Sequence, residues 1–307
     1  LPAALSEDRE LEQDCTGRCV PAWRKQLALW LTEPDHPLTA RVMVNRIWLW
    51  HFGAGIVATP NDFGRMGAQP VAPELLDWLA SEFVARGWSI KAMHRLILLS
   101  NAYQMSSRFA DPVNTRTDPH NRYLWRMNRR RLEAEAIWDS MHAVAGALNL
   151  KAGGRPVVVP LAEDELTALR AKEYWMPSLD PAEHRRRGIY ILVRRNFRFP
   201  MFETFDGPDT TASCPERGVT TVAPQALWLM NNSAAVARAR DLAARVAKEA
   251  GADPSAQIDR VWRLTLQRDP SPEEKKDAAE LLSKMDGAAL EKLCLAVYNL
   301  SEFAFVD

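Results

Sequence analysis

The chain has 307 residues, 47% of them hydrophobic and 25% charged, enough for one large or two ordinary domains with a real core. Lys+Arg and Asp+Glu both number 39, and a zero net charge argues against a general nucleic-acid binder. No run approaches the roughly 20 apolar residues that span a bilayer, and four cysteines are too few for a disulfide framework.

Residues 1–21 read as a polar lead-in. Cys15 and Cys19 form a close pair there, expected to be a local disulfide if the compartment is oxidising. Trp23, Leu27, Trp30 and Leu31 make a helical stripe. After the turn at 33–37, Thr39 is placed to cap a helix reaching Trp50. A Gly-rich polar loop, 51–70, follows. Pro73 suits the first position of a helix to about Arg86, and Ser89 caps one to about Ala102. Residues 106–123 read as a long connection. Arg131 to Leu150 is amphipathic, with Leu132, Ile137, Met141, Val144 and Leu148 on one face.

The periodicity then changes. Arg155–Pro160 and Gly188–Val193 are β-branched runs bounded by breakers, which predicts two strands, with a helical stretch from Glu163 to Lys172 between them. Residues 194–222 have little regular pattern. Pro224 opens a short helix and Ser233 caps another to about Ala250. The remainder reads as helical.

One pattern occurs twice. Val44-Asn45-Arg46-Ile47-Trp48, Pro73-Glu74, Gly87 and Tyr103 match Ile258-Asp259-Arg260-Val261-Trp262, Pro272-Glu273, Gly287 and Phe303, with 16 residues from glycine to aromatic in both. Ile90, Met93 and Ile97 align with Leu290, Leu293 and Val297. This predicts one helical packing unit used twice, with Trp48 and Trp262 equivalent and buried. The expected fold is mainly α: two related helical units around a small β element and a long irregular centre. The expected segments are a lead-in at 1–21, a first unit at 22–150, a central region at 151–232 and a second unit at 233–307, together forming one compact domain.

Chemistry is then expected where the chain does not repeat. The centre holds Arg185–Arg187, Arg194, Arg195, Arg217, Asp206 and Asp209. Asp206 and Asp209 are the candidate catalytic carboxylates, as an acid–base pair; alternatively the same two are hard ligands for Ca²⁺, or else turn residues beside Gly207-Pro208. Arg194, Arg195 and Arg217 are candidate donors to an anion, with Tyr190 or Phe205 as a stacking surface and Gln225 as a further contact. The loop 51–70 is expected to bring Asn61, Asp62 and Arg65 to the same cleft. The ligand expected from these arginines is an anionic glycan. On that reading Arg217→Ala abolishes glycan binding and leaves the fold intact. The competing reading is that these residues hold a complex connection in place. No metal-ligand set is assigned.

Several motifs together carry a resemblance. They are His36-Pro-Leu-Thr-Ala-Arg-Val-Met-Val-Asn-Arg-Ile-Trp48, Thr59-Pro-Asn-Asp-Phe-Gly64, Pro73-Glu-Leu-Leu-Asp-Trp-Leu79, Arg130-Arg-Leu-Glu-Ala-Glu135, Thr220-Thr-Val-Ala-Pro-Gln-Ala-Leu227 and Ser301-Glu-Phe303. In this order they resemble the planctomycete secreted domain of unknown function, family 1553, over about residues 22–307. The resemblance implies an exported domain, periplasmic or on the cell surface, whose partners are upstream domains of the same polypeptide. It carries no agreed activity. The family is often linked to cytochrome-c-like domains. This chain contains no Cys-x-x-Cys-His, so any haem c would belong upstream. Two function classes follow as expectations: a binding or scaffold domain with an anionic-glycan groove, or an envelope enzyme acting on acidic or sulfated polysaccharide.

Overall fold

The computed structural model describes residues 23–170, 173–195, 197–285 and 287–306; Cys15 and Cys19 lie outside them. The chain divides into two compact units, Leu1–Asn128 and Arg129–Asp307. The division falls at 128, not at 150, because the helix after Arg131 buries Ala134, Ile137, Trp138 and Met141 in the core of the second unit.

The first unit contains α1 (Trp23–Leu31), α2 (Thr39–Phe52), α3 (Pro73–Ala85), α4 (Ile90–Leu98) and α5 (Pro112–Thr117). The start of α2 is set by His36 rather than by Thr39. The His36 imidazole Nδ1 accepts from the backbone N–H of Leu38 and Thr39 at 3.2 and 3.1 Å, so a ring nitrogen replaces the usual capping oxygen. Ser89 caps α4 as expected, accepting from Ala92 N. Asp111 caps α5, which lies in the stretch read as a connection. Val44, Ile47, Phe52, Leu76, Leu79, Phe83, Met93 and Ile97 form the core.

The loop 53–72 is built into this unit. Asn45 is fully buried, donates to Val57 O at 3.0 Å and accepts from Val57 N at 2.8 Å. Its amide thus serves both backbone groups of one loop residue, as a neighbouring strand would. Ile56 and Val57 are buried beside it.

The second unit opens with β1 (Arg130–Arg131), which pairs antiparallel with the last described residues, Phe305–Val306 (β2). The helix expected from Arg131 therefore starts three residues later, as α6 (Ala134–Val144). Then come α7 (Glu163–Ala168), α8 (Pro200–Thr204), α9 (Ala223–Asn231), α10 (Ser233–Ala250), α11 (Pro254–Thr265), α12 (Pro272–Lys284), α13 (Ala289–Tyr298) and α14 (Ser301–Ala304). Asn232, not Ser233, caps α10. The two strands expected at 155–160 and 188–193 are not formed. Only an isolated parallel bridge joins Val157 and Ile191, and Gly188–Tyr190 is a 3-10 turn. Pro156 and Pro160 remove ladder donors. Gly188 is pressed onto α6, where a Cβ would lie 2.9 Å from Glu135 Cα.

The fold is mainly helical with one small two-stranded sheet. The repeat shows in the order α2–α3–α4 and α11–α12–α13, each with all three helices in mutual contact. Gly87 and Gly287 both adopt positive φ, +67° and +61°, between the second and third helices, a conformation that favours glycine. Val44 and Ile258, Ile47 and Val261, Met93 and Leu293, and Ile97 and Val297 are all buried. The tryptophans differ: Trp262 is buried and Trp48 only half-buried. The copies also diverge beside them. Asn45 holds the inserted loop, whereas its counterpart Asp259 reaches directly across to Lys275 of α12 at 2.7 Å.

Candidate functional site

Asp206 lies at the centre of a polar joint. Its Oδ2 is 2.5 Å from Arg131 Nη2, and it accepts from the Thr220 backbone N–H and hydroxyl at 2.9 Å each. Gln225 Nε2 adds a longer bond at 3.4 Å and donates to Thr204 O at 3.1 Å. Arg131 comes from β1, Asp206 from the end of α8, Gln225 from α9. The Arg131 side chain is 3% exposed, and burial lowers its pKa against the pull of Asp206. Asp206 has φ +59°, a backbone region that Asp and Asn tolerate better than most residues. Beside it Arg217 makes a bidentate pair with Glu135, at 2.7 and 3.1 Å, which raises the pKa of the guanidinium.

Of the expected site residues, Asp206 and Gln225 meet directly. Asp209 accepts from the Thr211 N–H and hydroxyl, is 3.6 Å from Arg198, and is held below the usual carboxylate range first by the Thr211 amide. Arg194 lies over Tyr174. Arg195 is exposed, and its carbonyl accepts from Thr210. The Tyr190 ring is covered by Arg186, and its hydroxyl accepts from Gly153 N. Asn61, Asp62 and Arg65 belong to the first unit. There Asn61 accepts from Arg46 at 2.7 Å and Asp62 from Gly64 N at 2.8 Å.

A different place leaves one arginine uncommitted. The three arginines 185–187 look alike in sequence, but two are consumed. Arg186 is buried, 3.0 Å from Glu183, and donates to Gly153 O and Lys151 O. Arg187 pairs with Asp139 at 2.8 Å. Among the described residues Arg185 pairs with no carboxylate; it lines a cleft of about 310 Å³ with His142, His184 and Arg238. No Asp or Glu lines that cleft. Its wall includes Ser233 and Ala234, the first residues of α10, whose N-terminal end adds partial positive charge.

The groups in the cleft feel one another. Arg238 is pushed below the usual arginine value by burial and then, with Asp241 opposing, by Arg185. Its Nε is buried without a hydrogen-bond partner. His142 is held down at about 4, chiefly by burial. The Trp138 carbonyl raises it, and Arg238 and Arg185 lower it further. With Arg238 offset by Asp241, the charge left to meet an anion here is that of Arg185.

Arg131, Thr220 and Glu135 in the joint, and His142, His184, Arg185 and Arg238 in the cleft, were not singled out as site residues from sequence. Arg185 was visible only as one of a run.

Architecturally this is a two-unit, mainly helical protein with a duplicated three-helix element and a cleft beside α10 that Arg185 and Arg238 line. The chain belongs to the family described as Protein of unknown function (DUF1553), the family model PSD1 matching residues 23–282. No curated protein and no solved structure matches it. Among the described residues no helix is long and apolar enough to cross a membrane.

Proposed function

We propose that the chain is a non-catalytic binding domain of a larger exported protein and that its ligand is an anionic glycan. The binding site is the cleft at the start of α10, not the stretch around Arg217. The observation that carries this reading is Arg185, exposed and paired with no carboxylate among the described residues, on a cleft that also holds Arg238, itself paired with Asp241, and no lining carboxylate. Guanidinium forks match carboxylate and sulfate oxygens. The catalytic alternative lacks such support. Asp206 is saturated by Arg131, Thr220 and Gln225, and Asp209 is occupied by its own turn, so neither is poised as an acid or base.

Arg185 separates the two readings because it is exposed and its loss leaves no buried partner behind. Calorimetric titration at low salt with galacturonic acid and a sulfated disaccharide should show binding to the wild type. Arg185→Ala should weaken it about tenfold or more, the loss of a charge-assisted contact to an anion, with unchanged melting temperature. Arg217→Ala should bind as wild type does. Absence of binding by the wild type, or equal binding by Arg185→Ala, overturns the proposal.

A further inference from the structure

The cleft does not end at Arg238. A second depression, of about 550 Å³, is lined by Gly146, Arg185, Asp241, Ala244, Arg245 and Lys248, among others. Arg185 lines both. The α10 residues involved are Ser233, Ala234, Ala237 and Arg238 in the first, then Asp241, Ala244, Arg245, Lys248 and Glu249 in the second. Between Ala234 and Lys248 they recur mostly at steps of three and four, which places them along one face of the helix. From Ala234 to Lys248 that face runs about 21 Å at the rise of an α-helix. Alanines recur along it, so a ligand can lie close to the helix between the charged side chains.

The charges along this face sort into committed and uncommitted groups. Asp241 pairs with Arg238 at 2.8 Å. Glu249, at the rim, is held by Arg245 and Arg260 at 2.8 and 2.5 Å, and those hydrogen bonds lower its pKa. Arg245 also donates to the Val144 carbonyl at 2.8 Å, so it braces the end of α6. Among the described residues Arg185 and Lys248 pair with no carboxylate, and both are exposed.

We infer, resting on the anion-binding reading above, that the ligand is a linear acidic polysaccharide laid along α10, with successive negative groups at Arg185 and at Lys248. A single acidic sugar fills only the first cleft and leaves Lys248 unused. The even charge balance of the whole chain favours a locally matched glycan over a nucleic acid, which calls for a broad basic surface.

The test is a length series. Oligogalacturonates from monomer to hexamer are titrated against the full chain, its Lys248→Gln variant and its Arg185→Ala variant, with single-stranded DNA of similar length as the comparison. Affinity should rise about tenfold or more from monomer to the longer oligomers, because a second contact on one chain is made at high effective concentration. Lys248→Gln should flatten that rise and leave monomer affinity unchanged; Arg185→Ala should weaken every length. If monomer and hexamer bind equally, the extended groove is wrong and the anion cleft stands. If no acidic sugar of any length binds, both fall. Tighter binding of the DNA overturns the polysaccharide assignment.

Discussion

Asp206→Ala is expected to destabilise the second unit by about 3–5 kcal/mol, the usual cost of removing one partner of a buried ion pair. The magnitude follows from what is left behind. The Arg131 guanidinium is shut away from solvent, and its Nε and Nη1 already lack hydrogen-bond partners. Its Nη2 reaches only Asp206 Oδ2 and, at 3.3 Å, the Phe205 carbonyl. Deleting the carboxylate strands a buried cation and removes the acceptor for both the Thr220 amide and hydroxyl. Alanine also fits the positive φ less well than aspartate does. Asp206→Asn keeps the shape and the backbone tolerance and loses only the charge, so it should fall between the wild type and Asp206→Ala. Pairing Asp206→Asn with Arg131→Met should recover part of the loss, since the desolvated charge is then gone. Urea unfolding of the four proteins measures these differences. A cost below about 1 kcal/mol for Asp206→Ala, the range of an exposed pair, would mean that the joint is ornamental and would reopen Asp206 for another role.

Helices were legible in the sequence because their signals are local. Pro73, Ser89 and the 3.6-residue stripes each act within one or two turns, and the duplication was readable because equivalent buried positions must keep apolar type. The sheet was hidden. Two residues of β1 and two of β2, Arg130-Arg131 and Phe305-Val306, are too short to show alternation, and they are joined from opposite ends of the second unit. The same rule misread 155–160 and 188–193. The runs there are irregular backbone that buries only Val157, Val159 and Ile191 beside Trp138 and Trp175, with Trp138 donating to the Arg186 carbonyl and Trp175 to that of Val159. Burial of a short apolar run does not by itself require a ladder.

The site was less legible, for an electrostatic reason. An arginine's usefulness to a ligand depends on whether the fold supplies it with a carboxylate, and those carboxylates come from elsewhere in the chain. Glu135 takes Arg217, Asp139 takes Arg187 and Glu183 takes Arg186. Arg185, between Glu183 and Arg186 in sequence, is left over. Arg238 lies in an alanine-rich helix that reads as an ordinary solvated face. Only the approach of α6 and the 181–187 turn converts that face into a wall of a cleft.

His142 makes acid sensitivity the second large expected effect. Its folded pKa of about 4 lies below the ordinary histidine value near 6.5, so the unfolded chain binds this proton more readily than the folded one does. Stability from this group is therefore complete above pH about 6.5 and is lost as pH falls toward about 4, by linkage. The full loss is about 3 kcal/mol, of which about 2 kcal/mol appears between pH 6.5 and 5. The cause is geometric. The ring is buried against Trp138, whose carbonyl accepts from Nδ1 at 2.8 Å, while Arg185, Arg238 and His184 share the same cleft and no carboxylate there offsets a new charge. Glu274, held down at about 2 chiefly by its hydrogen bonds from Arg268, contributes stability that is lost as pH falls from its ordinary value of 4.5, below the pH 7 to 5 interval. The measurement is the unfolding free energy of the wild type and of His142→Gln at pH 7 and pH 5. The wild type should lose about 2 kcal/mol more than the variant over that interval; equal losses would mean that His142 does not hold its neutral form. A bound anion facing Arg185 and Arg238 should raise the His142 pKa by reciprocity, so ring signals that titrate upward on adding an oligogalacturonate would tie the acid response to the occupied cleft.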